Sequence, residues 1–112
     1  MSAPEVVMVI TNLPDRATAE RIADTLVTDG VAACVNVLAE CTSVYRWQGK
    51  LERASEVPML IKTTRENYPK LEDVLRKLHP YEVPEIIALP VSAGWPDYLN
   101  WVVQETQTRK QT

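Results

Sequence analysis

Histidine occurs once in this chain of 112 residues, cysteine twice and glycine three times. Each scarcity excludes something. His is the commonest transition-metal ligand, but a single imidazole cannot make a metal site alone. Three well-separated glycines leave no loop to cradle a phosphate, and no nucleophile elbow or paired-His motif occurs. A nucleophilic cysteine would need a His within hydrogen-bond reach, and neither cysteine is placed to have one. The chain is therefore not read as an enzyme. Cys34 and Cys41 fall on opposite faces of one expected strand, about 23 Å apart by strand rise. A disulfide needs Cα atoms within about 7 Å, so two free thiols are expected. Basic charge is also short, with 12 Lys and Arg against 15 Asp and Glu and a net charge of -3. No basic stripe stands out, which argues against nucleic acid as a partner. No apolar run approaches the roughly 20 residues of a membrane span. The opening Met1-Ser2-Ala3-Pro4-Glu5 lacks the basic and apolar segments of a signal peptide, so a cytoplasmic protein with no membrane partner is expected.

What is present fits one α+β domain over 1–112, with an ordered core from about residue 5 to about residue 105. A chain this size has one core and little room for an internal cavity. A ligand site should therefore lie at an edge or between subunits. Val6-Val7-Met8-Val9-Ile10 reads as a central strand. Asp15 is placed to N-cap a helix with Ala19, Ile22, Ala23, Leu26 and Val27 on one face, and Gly30 to end it. Residues 31–47 read as a long second strand. Gln48-Gly49-Lys50 is a turn signal, and a third strand runs to about Thr63. Pro58 has no N–H for a ladder and should mark a bulge or an unpaired position. Thr63-x-x-Glu66 has the capping-box pattern for a second helix, with Tyr68, Leu71, Leu75 and Leu78 inward. His79-Pro80 stops that helix. Residues 83–91 form a fourth strand, and a last helix carries Tyr98, Leu99 and Val102 on one face. The polar stretch 104–112 is expected to fray.

This order is the ferredoxin-like βαββαβ sandwich with an extra C-terminal helix. Both main helices cover one face of an antiparallel sheet. The other face is bare, yet two strands are nearly all apolar, where a wet face would alternate. A homo-oligomer packing sheet against sheet is expected.

Four stretches carry a family resemblance: Ala32-Ala33-Cys34-Val35-Asn36, Ser43-x-Tyr45-x-Trp47-x-Gly49-Lys50, Lys62-Thr63, and His79-Pro80-Tyr81-Glu82-x-Pro84-Glu85. In this order and spacing, from about Val6 to Trp101, the chain resembles the CutA family of divalent-cation tolerance proteins. The resemblance implies a ferredoxin-like subunit in a homotrimer. It also implies a role in metal tolerance, chiefly of copper, with no required cofactor and Cu(II) or another divalent cation as the metal concerned. Copper binding proposed for the family uses the His of the His-Pro-Tyr motif, here His79, and a Cys at the end of the first strand, where this chain has Thr11. A second His of some members is Leu78 here. The trimer is similar in architecture to the nitrogen-regulatory PII proteins, which bind small molecules in clefts between subunits; that comparison is a fold-level analogy.

Two sets of side chains are candidates. For a metal they are His79 and, on the same end of the sheet, Cys41; copper favours imidazole and thiolate. The competing reading of His79 is a helix-ending residue whose positive form complements the helix C-terminus. For a ligand between subunits they are Lys62, Glu56, Tyr81, Glu85 and Trp47. Lys62 lies within an apolar run and should be paired. A structural ion pair with Glu56 or Glu85 is the alternative to ligand binding. Tyr45, Trp47, Trp95 and Trp101 are expected as core or interface anchors.

Overall fold

The computed structural model describes residues 5–107. Strand β1 (Val6–Leu13) is followed by helix α1 (Arg16–Thr28), strands β2 (Cys34–Val37), β3 (Cys41–Trp47) and β4 (Lys50–Thr64), helix α2 (Tyr68–Leu78), strand β5 (Ile87–Pro90) and helix α3 (Pro96–Glu105). All pairings are antiparallel, in the order β2-β4-β1-β5, with β3 paired to β4 beyond β2. This is the ferredoxin-like plan with an added hairpin arm and an added helix. Of the tail expected to fray, Gln104 and Glu105 are helical, and residues 108–112 lie outside the described residues, as does 1–4.

Local chemistry sets the helix ends. Asp15 Oδ1 accepts the Thr18 N–H at 2.8 Å, which caps α1 and holds the Asp15 carboxyl below its usual range. At the other end Gly30 takes φ +74°. Its N–H reaches Val27 O and that of Val31 reaches Leu26 O, at 3.1 and 3.2 Å, the paired bonds of a Schellman motif. The capping box expected at Thr63 does not form. Thr63 Oγ1 instead donates to Val31 O at 2.7 Å inside the core, and Thr64 Oγ1 accepts the Asn67 N–H at the start of α2. Leu78 is exposed, so the inner face of α2 is Leu71 and Leu75 with Tyr68 and Val74 beside them.

Odd positions of β1 and β4 face the helices. Val7, Val9, Leu13, Val57, Met59 and Ile61 pack there against Ile22, Leu26, Leu71 and Leu75. Even positions form the second face. Helix α3 covers one end of it, packing Val102 on Val6 and Ala33. Beyond α3 the strip Met8, Ile10, Leu60, Ile87 and Leu89 is not covered by any of the described residues, and Ile87 and Leu89 are 49% and 41% exposed.

The stretch 31–47 is not one strand. β2 and β3 are separated by residues 38–40, and the register on β4 slips by one there: Val37 faces Met59, whereas Cys41 faces Glu56. Cys34 and Cys41 therefore lie in different strands, and both are free. The cause is across the ladder. Leu38 N–H donates to Pro58 O at 2.9 Å, but Pro58 has no N–H to return to Leu38 O. The orphaned carbonyl is taken by the Arg16 guanidinium at 2.8 Å, from the first turn of α1. The bulge expected at Pro58 thus falls on the strand opposite it. Past the break, β3 and the first half of β4 leave the sheet as an arm. Its tip is a two-residue turn with Gln48 and Gly49 at φ 51° and 81°, the positive values a tight hairpin needs.

Arg16→Met keeps the packing stem and removes the donor to Leu38 O. It is expected to cost about 1 kcal/mol in urea unfolding and to speed amide exchange around residues 38–41. Glu20→Ala, which removes only the exposed pair of Arg16 with Glu20, should stay within a few tenths of a kcal/mol. Equal effects of the two would reject the break-capping role.

Candidate functional site

The arm and the chain after α2 enclose a groove of about 940 Å³ on the face away from the helices. One wall is the hairpin, which contributes Ser43, Tyr45, Trp47, Ala54, Ser55 and Glu56. The other is the stretch 80–85, with Tyr81, Glu82 and Glu85, and Asn12 of β1 lies between them. On the arm, Ser43, Tyr45 and Trp47 share one strand face at every second position, and Ala54 and Glu56 share it through the register with β3.

His79 fixes the second wall. The register of β5 on β1 ends at Ile10 opposite Ile87, and continuing it by two residues would place Glu85 opposite Asn12. The ladder does not continue, which is why the expected strand over 83–91 shortens to Ile87–Pro90. The imidazole fills the gap. His79 Nε2 is 2.8 Å from Asn12 O and donates to it, while Nδ1 accepts the Tyr81 N–H at 3.2 Å. Asn12 Nδ2 donates to Glu85 Oε1 at 3.1 Å. One ring therefore caps a sheet-edge carbonyl and folds the Pro80-Tyr81 turn back on itself. The His79 and Tyr81 rings stand 4.9 Å apart. His79 is 7% exposed. Burial lowers its pKa; the bond to Asn12 and the Glu56 charge oppose that more weakly. The ring is neutral at pH 7, so the expected complement of a positive imidazole to the α2 C-terminus gives way to a neutral hydrogen-bonded spacer.

Glu56 is a buried carboxylate, 8% exposed. It faces Tyr81, whose phenol is held far above the ordinary range, first by burial and then by that carboxylate, with Tyr45 and Asp15 adding to the effect. Of the expected ligand set, Glu56, Tyr81, Glu85 and Trp47 meet in this groove. Lys62 does not. It lies six residues along β4 from Glu56, about 20 Å by strand rise, opposite Met8 and Cys34, and its Nζ donates to Asn36 Oδ1. Neither expected ion pair of Lys62 forms. Asn12, Ser43 and Ser55 were not foreseen, because their place in the groove follows from strand register and not from any local pattern.

The metal candidates do not converge. A metal ion at His79 would displace one of its two bonds. Cys41 is half-buried with its Sγ 3.9 Å from Ser43 Oγ, and Thr11 points into the helix-side core, its Oγ1 without a partner. Among the described residues no three His, Cys, Asp or Glu side chains are grouped to hold a metal. The residues present do not fit a Cu(II) centre within one chain. No described helix is long and apolar enough to cross a membrane.

Fold and groove together define a ferredoxin-like α+β domain built to present a preformed cleft. The match extends to named proteins. The family model of the CutA1 divalent ion tolerance protein matches residues 7–105. The divalent-cation tolerance protein CutA of Thermus thermophilus is 45% identical over 99 residues, covering 88% of this chain and 96% of that protein. The mouse protein CutA is 48% identical over 95 residues, 85% of this chain, which spans about half of the mouse protein's length, 54%. Among solved structures, that of the Thermus thermophilus protein superposes with a TM-score of 0.89 at 42% identity, over 91% of this chain and 99% of that one. CutA1 from Oryza sativa gives 0.91 at 32% identity, over 95% and 97%. This chain belongs to the CutA1 divalent ion tolerance family.

The pH dependence of stability follows from His79. Its folded pKa is depressed, so the unfolded chain binds the proton more tightly. Stability is then fully present above about pH 6.5 and is lost as pH falls from there toward the folded value. His79 is the one histidine in the chain, and its share of this window is read from the difference between the parent and a variant that lacks it. Urea midpoints between pH 7.5 and pH 5 should fall in the parent and fall less in His79→Gln. An identical slope in both would reject the neutral, buried imidazole.

Proposed function

We propose that this chain serves divalent-cation tolerance as a non-catalytic, cytoplasmic homotrimer whose working site is the groove beneath the hairpin arm, used to sense a small ligand. The observation that carries this reading is the commitment of both His79 nitrogens inside the chain, next to a cleft that is already formed. The metal response, with Cu(II) the first cation to test, is then a property of what the groove recognises and not of a copper centre on His79. Volume and lining suit a small molecule, since ligand sites commonly measure about 300–1,000 Å³ and mix apolar walls with a few polar groups. Trimer formation is supported by the apolar strip Met8, Ile10, Leu60, Ile87 and Leu89 left open on the sheet, and two free thiols suit a reducing compartment.

Calorimetric titration with Cu(II) tests the site assignment. The expected result is no submicromolar, stoichiometric binding, with an isotherm unchanged in His79→Ala, although that variant loses about 1–3 kcal/mol of stability through its unpaired neighbours. Tight binding abolished by the substitution would overturn the proposal in favour of a metal centre. Light scattering at micromolar concentration should give three times the chain mass of 12.6 kDa. A monomeric mass would refute the assembly.

A further inference from the structure

We propose that the groove is completed by a second copy of the chain: Lys62 of the partner subunit closes it and pairs with its carboxylates. This rests on the reading of the protein as a homotrimer whose working site is the groove, and it names the residue that a neighbouring copy brings to that site.

Lys62 carries the inference. It lies on the sheet face away from the helices, opposite Met8 on one neighbouring strand and Cys34 on the other, with Leu60 two residues along β4. It is half-buried, and its Nζ donates to Asn36 Oδ1, a neutral acceptor. No carboxylate pairs with it among the described residues, whose salt bridges all lie elsewhere. In a separate chain, water completes the solvation of the ammonium. In the proposed trimer this face is covered, since Lys62 adjoins the apolar strip of Met8, Ile10 and Leu60. An ammonium withdrawn from water among apolar neighbours needs an acid beside it.

The acids lie at the other end of the same face. Glu56, Glu82 and Glu85 line the groove, and no Lys, Arg or His does. Glu56 accepts a hydrogen bond from the Tyr81 phenol. That bond leaves its charge in place, and a carboxylate has lone pairs for further donors. Lys62 and this groove cannot meet in one chain, because six residues of β4 hold Lys62 about 20 Å from Glu56. They can meet between chains. A closed ring of three repeats one contact, in which two different patches of the same chain face each other. Lys62 against Lys62, or groove against groove, would set like charges together, whereas Lys62 against groove pairs opposite ones. The groove is then a cleft between two subunits. Its carboxylates and aromatic rings come from one chain and its ammonium from the next, so a small ligand entering it touches both.

The test follows the exchange of chains between trimers. Isotopically heavy and light protein are mixed, and native mass spectrometry reads the rate at which mixed trimers appear. Lys62→Glu should exchange at least about tenfold faster than the parent, or no longer hold a trimer, because it sets like charges together. Glu56→Lys, Glu82→Lys or Glu85→Lys is then added to Lys62→Glu in the same chain. At least one of these three pairs should slow exchange again by about tenfold or more, although its two residues cannot touch within that chain. Lys70→Glu, the same change of charge at an exposed position of α2, should stay within about twofold of the parent. Parent-like exchange in Lys62→Glu, an equal effect of Lys70→Glu, or no recovery in any of the three pairs would overturn the contact while leaving a trimeric parent and its groove in place. A monomeric parent would overturn the assembly and the contact with it.

Discussion

The architecture of the site turns on one absent donor. Pro58 cannot return a hydrogen bond to Leu38, and the long antiparallel ladder fails at that position. Everything distal to the break leaves the main sheet as an arm. Without it, β3 would continue β2 beside β4 and there would be no wall for a cleft. The failure is stabilised by Arg16, whose guanidinium satisfies the stranded carbonyl. The first turn of α1, the bulge and the arm are thus one mechanical unit, and Asp15 fixes where that turn begins.

A second interrupted ladder supplies the other wall. At the edge of β1, the place of a strand bond is taken by the imidazole of His79, and the displaced chain turns outward with Tyr81, Glu82 and Glu85. Both walls of the groove are therefore made by ending strand pairing at a chosen residue and meeting the leftover backbone group with a side chain. Membership of a divalent-cation tolerance family is compatible with this economy. The His-Pro-Tyr motif has a demanding structural task here, set by hydrogen bonding.

The fold was largely legible because its signals are local. Asp15, Gly30, the Gln48-Gly49 turn and the apolar spacing of α1 act on their own neighbours, and the structure places them as read except Val27, which ends the expected inner face of α1 but is exposed. Pro58 was legible as a disruption but not as to where it would act, since its missing N–H breaks the strand facing it. The same limit explains Thr63. The pattern with Glu66 is a genuine capping signal, but burial on the helix face sends the hydroxyl to Val31 O. At the site, the motif residues Tyr81 and Glu85 were found by their neighbours in sequence, whereas Asn12 and Ser43 depend on register. Lys62 and Glu56 lie on one strand, and strand rise alone keeps them apart within a chain. For His79 the sequence leaves both a metal ligand and a helix-ending residue open, because its partner is a backbone carbonyl, which every residue has and no sequence pattern marks.

Strand β5 forms one edge of the sheet, and its outer rim has a property that reaches beyond this molecule's own folding. Val91 N–H bonds inward to Val6 O, so in the alternation of the strand the N–H groups of even positions point away from β1. One of those positions, Pro90, has no N–H at all, and within β5 only Ala88 can donate. An extended segment arriving from another molecule would find the outward carbonyls but a single donor, the Ala88 N–H, and so no regular ladder. A sheet rich in apolar residues is thereby blunted against open-ended strand addition, the route by which such edges seed fibrils.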